Sequence, residues 1–159
     1  MTLGTDLDLT MEAHAERPLR VLVADDHPTN RAVIEIILDL VSAAATSVEN
    51  GAQALMAFKS EDFDVVLMDL QMPVMDGLTA IREIRKHETE TDRPRTPVLA
   101  VTANALSEHV AASKEAGADR HIAKPVTPEI LLAAISSELE RARAAVDQVR
   151  AEVSKKKRA

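Results

Sequence analysis

A chain of 159 residues with a formal charge of −7 has room for one ordinary domain, and it is a poor candidate for gripping nucleic-acid phosphates, which takes clustered Lys and Arg. Two Phe and no Tyr or Trp leave no aromatic platform for stacking bases, so the core must be built from Val, Ile, Leu, Met and Ala. The lack of Cys rules out disulfides and thiolate metal sites and agrees with a cytoplasmic setting, as does a start without leader character and the lack of a membrane-length apolar run.

Residues 1–18 are polar and acidic, show no clear periodicity, and read as a flexible N-terminal arm ending near Pro18. The texture then changes. "LRVLVAD" (19–25) predicts a strand, and 28–41 predicts a helix with Val33, Ile34, Ile37, Leu38 and Val41 on one face. A weaker strand, "AATSV" (44–48), precedes a helix over 51–60 carrying Ala54, Leu55 and Phe58. "FDVVLMD" (63–69) is the third strand, and 77–87, with Leu78, Ile81 and Ile84, is the third helix, opened by the turn Asp76-Gly77. "TPVLAVT" (96–102) and an Ala-rich helix over 107–116 follow, then "RHIAK" (120–124). The last helix opens with Thr127 as N-cap and Pro128 at its first position and continues to about Val153.

Strands alternating with helices predict βαβ units, hence an α/β fold with a doubly wound five-stranded parallel sheet covered on both faces. Residues 19–138 form the predicted domain, and 139–159 a C-terminal helical extension with a basic tail. Along the last helix Leu132, Ile135, Leu139, Ala142, Val146, Val149 and Val153 alternate three and four apart. That seam is expected to serve a homodimer or a docking partner, against the plainer reading of a solvated extension.

In doubly wound sheets the functional crevice lies beyond the carboxyl ends of the strands. At those ends stand Asp25-Asp26, Asp69, Thr102 and Lys124, the last followed by Pro125. Gathered carboxylates repel, and a bound cation relieves them. With oxygen ligands and no His or Cys at the rim, Mg²⁺ is the expected ion and Mn²⁺ its substitute. A carboxylate can attack phosphorus to give an acyl phosphate, with a lysine and a hydroxyl neutralising the phosphoryl oxygens. Met68, Met72 and Met75 read as packing. His14, His27, His87 and His109 form no ligand-like group and are expected to face solvent.

These residues resemble the receiver domain of two-component response regulators over roughly residues 19–138. The resemblance is carried by Asp25-Asp26, "MDLQMPVMDG" around Asp69, "AVTANA" around Thr102, and "GADRHIAKP" ending in Lys124-Pro125. It implies a flavodoxin-like sheet of order 2-1-3-4-5, with Asp69 as phosphoacceptor. Asp26 and Asp69 would be metal ligands, Asp25 would act mainly through water, and the backbone carbonyl of Gln71 would complete the set. Thr102 is similar to the switch hydroxyl and Lys124 to the phosphate-binding lysine, with a cis peptide before Pro125. His121 stands where the family usually has Tyr or Phe, a ring whose rotation reports phosphorylation.

The implied partners are a sensor histidine kinase and a histidine phosphotransfer protein. A downstream protein is expected at the face formed by the fourth helix, fifth strand and fifth helix, without an effector domain or direct DNA binding. Two other readings compete: a phosphorylation-independent scaffold, and a phosphatase with an aspartyl nucleophile. Gln71 disfavours the phosphatase, because such enzymes place a second acid there.

Overall fold

A computed structural model of the chain describes residues 17–104 and 106–158, the side chain of Arg158 excepted. Most of the predicted arm, residues 1–16, lies outside the described residues, as does Ala105 of the "AVTANA" run. Each apolar run forms one strand: β1 (Arg20–Ala24), β2 (Ala44–Val48), β3 (Val65–Asp69), β4 (Val98–Thr102) and β5 (Arg120–Ala123). Between and after them run α1 (Pro28–Asp39), α2 (Gly51–Ser60), α3 (Gly77–Glu90), α4 (Ser107–Ala116) and α5 (Pro128–Arg158). All pairings are parallel and the strand order is β2-β1-β3-β4-β5.

The two-residue period of a strand sends alternate side chains to opposite faces. Val21, Val23, Val65, Leu67, Leu99 and Val101 therefore share one core cluster with Ile34 and Leu38 of α1 and Leu131 and Ile135 of α5. Leu22, Val66, Met68 and Ala100 share the other with Phe58 of α2 and Ile81 and Ile84 of α3. Covering both faces is what makes the central strands uniformly apolar in sequence. β2 lies at one edge of the sheet, and its Ala44 and Ala45 are exposed, which explains why its signal is the weakest.

At the amino edge of the sheet, Arg85 of α3 ties several segments together. It donates to the carbonyl oxygens of Gly117 (3.0 Å) and Thr96 (2.8 Å) and pairs with Glu88 (2.7 Å) and Asp119 (2.8 Å). At the opposite edge, Asp76 caps α3 by accepting from the Thr79 N–H at 2.8 Å. Gly77 is required there by close approach. A Cβ at that position would overlap the carbonyl oxygen of Asp69 and lie 2.7 Å from Leu70 Cα, both backbone atoms that cannot swing aside. Gly77→Ala is thus expected to cost about 2 kcal/mol of stability by overpacking, read as a lower urea midpoint with an unchanged slope.

α5 has 31 residues, about 46 Å at 1.5 Å per residue, and overruns the predicted end by one turn. Its seam divides. Leu132, Ile135 and Leu139 are buried in the core, Ala142 is half-buried, and Val146, Val149 and Val153 are exposed beyond the sheet. Among the described residues, no helix is long and apolar enough to cross a membrane.

Candidate functional site

The strand register delivers the predicted residues to one edge. Asp25 follows β1 directly and is 1% exposed; Asp69 is the last residue of β3 and 4% exposed; Thr102 ends β4, buried. β3 aligns Asp69 with Val101, and β4 aligns Thr102 with Ala123, so Lys124 comes in one residue beyond Thr102. The Lys124-Pro125 peptide bond is cis. Lys124 Nζ lies 2.9 Å from Asp25 Oδ2 and 3.3 Å from Asp69 Oδ2, bridging the two most buried acids of the cluster.

The carboxylates are positioned by local backbone. Asp25 Oδ1 accepts the His27 N–H at 2.9 Å, and Asp69 Oδ1 accepts the Gln71 N–H at 3.2 Å. Thr102 Oγ1 accepts the Asn104 N–H at 3.2 Å. Ligand atoms from Asp25, Asp26, Asp69 and His27 all lie within 4.8 Å of one another. Asp26 Oδ1 is buried and, among the described residues, accepts no aligned hydrogen bond, although His27 Nδ1 is 3.0 Å away. Asp25 Oδ2, also buried, is met among the described residues by the Lys124 ammonium at 2.9 Å. Buried oxygens left short of donors are costly, and a hard divalent cation relieves them. The donor set therefore fits Mg²⁺: carboxylates from two strand ends, with Gln71 in the loop beside them.

The electrostatics follow from burial. Desolvation pushes the Asp69 carboxyl above the usual aspartate range, opposed by the Gln71 N–H and the Lys124 charge and reinforced by Asp25. Burial works against the Lys124 ammonium, yet hydrogen bonding to Asp25 and the charges of Asp69 and Asp25 hold its pKa above the ordinary lysine value. Burial, with a smaller push from His109, holds the His121 pKa below the ordinary histidine value. Both ring nitrogens of His121 are buried without a hydrogen-bond partner among the described residues.

The structure thus brings together Asp25, Asp26, Asp69 and Lys124 and sets Thr102 on the neighbouring strand end. His121 belongs to β5, three residues before Lys124. Gln71 lines a crevice beside the cluster together with Met72, Asp76, Thr102 and His109, about 360 Å³ in volume. Two histidines depart from the expectation of solvent exposure: His87 and His109 are both half-buried. His27 is exposed as expected but does group with the acids. Its adjacency to Asp26 was the available signal. Arg31 was also missed: its Nη1 donates to the Asp25 carbonyl oxygen at 2.6 Å, pinning the turn into α1.

Comparison with known proteins agrees with this geometry. The model of the response regulator receiver domain family matches residues 21–136. The peroxide stress-activated histidine kinase mak1 of Schizosaccharomyces pombe is 40% identical over 125 residues, 77% of this chain, and the chain spans 8% of that kinase's length. Among solved structures, the receiver domain of the sensor histidine kinase PA1611 from Pseudomonas aeruginosa PAO1, with magnesium coordinated in its active-site cleft, superposes with a TM-score of 0.71. The identity is 33%, covering 78% of this chain and 99% of that one. The receiver domain of Saccharomyces cerevisiae Ssk1, crystallised with the histidine phosphotransfer protein Ypd1, gives a TM-score of 0.70 at 25% identity, covering 75% of this chain and 87% of that chain.

Proposed function

Because this chain belongs to the response regulator receiver domain family, we propose that Asp69 accepts a phosphoryl group from a phosphohistidine and that the adduct switches protein contacts or is passed on. The observation that carries this reading is the convergence of Asp25, Asp26 and Lys124 on Asp69. Asp69 Oδ attacks phosphorus while the nitrogen–phosphorus bond of the donor breaks and its electron pair returns to the imidazole. Mg²⁺, or Mn²⁺ in its place, would be held by Asp26, Asp69 and the Gln71 carbonyl, with Asp25 acting through water, and would neutralise charge on the phosphoryl oxygens.

Lys124 is already poised between Asp25 and Asp69, and turns from a carboxylate to a phosphoryl oxygen once the adduct forms. Thr102 Oγ1 accepts from Asn104 N–H and, with no acceptor for its proton among the described residues, can donate to another phosphoryl oxygen. His121 is the coupled element: its buried ring nitrogens have no hydrogen-bond partner among the described residues, a cost that a move of the ring with the neighbouring loop would relieve. The output face is then α4–β5–α5. Residues 19–138 serve as the receiver, with 139–159 as its helical extension.

The partners that fit are a sensor histidine kinase and a histidine phosphotransfer protein, in a cytoplasmic setting. Gln71 offers no general acid two residues beyond Asp69, which disfavours turnover of external phosphoesters. The test is a time course with Mg²⁺ and phosphohistidine donor. One labile phosphoryl group per chain, with slow phosphate release, supports the switch. Sustained multiple-turnover release would point to the phosphatase, and no adduct to the scaffold.

A further inference from the structure

At the amino edge of the sheet, opposite the acid cluster, α5 overhangs the segment before β4 and encloses an apolar groove of about 620 Å³. Its apolar walls are Pro94 and Pro97 on one side and Ala142, Ala145, Val146 and Val149 on the other. Val146 and Val149 are 45% and 59% exposed, although they continue the seam whose Leu132, Ile135 and Leu139 are buried.

The rim of this groove is positive. Arg95, Arg141 and Arg150 line it with two acids, Asp119 and Glu138. Both acids are already neutralised, Asp119 by Arg85 and Arg95, and Glu138 by Arg120 and Arg141. An occupant should therefore be apolar and acidic.

The chain itself supplies such a segment. Residues 1–16 include Leu3, Leu7, Leu9 and Met11 along with Asp6, Asp8, Glu12 and Glu16, and contain no Lys or Arg. Their attachment point is at the same amino edge of the sheet as the groove, with β3 between β1 and the groove's β4 wall. Arg17 grips both carboxylate oxygens of Asp64 at 2.8 Å, just before β3. One strand away, the Pro97 carbonyl at the groove wall accepts from Val66 N–H at 2.9 Å. Leu19 belongs to the same core cluster as Leu131 and Ile135 of α5 and Ile34 and Leu38 of α1, so its side chain packs on the face that the two helices share. Sixteen residues reach up to about 50 Å when extended, ample for a groove at the same edge of the sheet as the tether.

We propose that residues 3–12 of this chain dock in the groove under α5, their leucines on Val146 and Val149 and their acids against Arg95 and Arg150. Tethering makes the contact intramolecular, so the local concentration of the segment is on the order of millimolar and modest affinity suffices. A second copy offering its own α5 seam is the competing occupant. It would set Arg143 and Arg150 among further cations if the helices ran antiparallel, the orientation that keeps the two domains apart.

The experiment uses the full chain. Because it has no native Cys, Thr10→Cys gives a unique site for a spin label. The label should broaden the methyl signals of Val146 and Val149 well beyond those of Val33 and Ile36, exposed residues on α1. The contrast should survive dilution, disappear in Arg95→Glu/Arg150→Glu, and return when Asp6→Lys/Asp8→Lys is added. Three results would overturn the proposal: broadening no stronger at Val146 than at Val33, broadening unchanged by charge reversal, or broadening that passes from a labelled chain to an unlabelled one. The last would show that the contact is made between chains and not within one.

Discussion

Asp69→Asn is expected to abolish phosphoryl uptake and, without metal, to make the protein more stable. The two effects have one origin. The carboxylate proposed as nucleophile sits in a buried position where desolvation pushes its pKa up. A folded-state pKa above the unfolded value means that folding disfavours the charged form. The cost is present in full above the folded pKa and fades as pH falls toward the ordinary aspartate range. Asparagine keeps the shape and can still accept the Gln71 N–H, while Lys124 retains Asp25. Melting at neutral pH should rise by about 3 °C relative to the parent protein, with the gain shrinking on acidification. Mg²⁺ should reverse the ranking, since it stabilises only the chain that binds it. A lower melting temperature for Asp69→Asn in metal-free buffer would show that the Lys124 pair outweighs desolvation.

Lys124→Met is expected to cost more stability than any other single change at the site. Its ammonium lies between Asp25 and Asp69, whose side chains are 1% and 5% exposed, and its removal leaves two buried charges facing each other. Breaking a buried pair from one side typically costs about 3–5 kcal/mol, and because Lys124 is 17% exposed we place the loss at about 3 kcal/mol. The raised Lys124 pKa gives the pH sense: the stabilisation is complete below the ordinary lysine value and is lost as pH rises through the folded value. Urea unfolding at neutral pH measures it. Mg²⁺ should recover part of the loss by replacing the missing positive charge. Combining Lys124→Met with Asp69→Asn should cost less than the sum of the two, because the repulsion it exposes has been removed. Additive costs would mean that Lys124 and Asp69 do not share one electrostatic site.

The fold was legible where burial left a one-dimensional trace. β1, β3 and β4 are covered on both faces, so each appears as an unbroken apolar run ending on a polar residue. Those polar ends, Asp25, Asp69 and Thr102, make up much of the candidate site. The edge strand β2, with Ala44 and Ala45 exposed, gave a weak trace for the same reason in reverse. What was not legible depends on contacts distant in sequence. Arg85 joins Thr96 and Asp119, the latter across 34 positions, and no local pattern announces that. His27 escaped notice because a histidine at a helix start resembles any exposed polar residue; only the fold shows its ring beside Asp26. The heptad spacing of α5 correctly implied a long helix, but spacing cannot say that Leu139 faces a sheet and Val146 a groove.

The most direct test is to locate the adduct. After incubation with Mg²⁺ and a phosphohistidine donor, borohydride reduction of the acyl phosphate and peptide mapping should find the modification at Asp69 and nowhere else, and none when the divalent ion is chelated. A modification at Asp25, Asp26 or a histidine instead, or an Asp69 peptide that stays unmodified under a competent donor, would contradict the account.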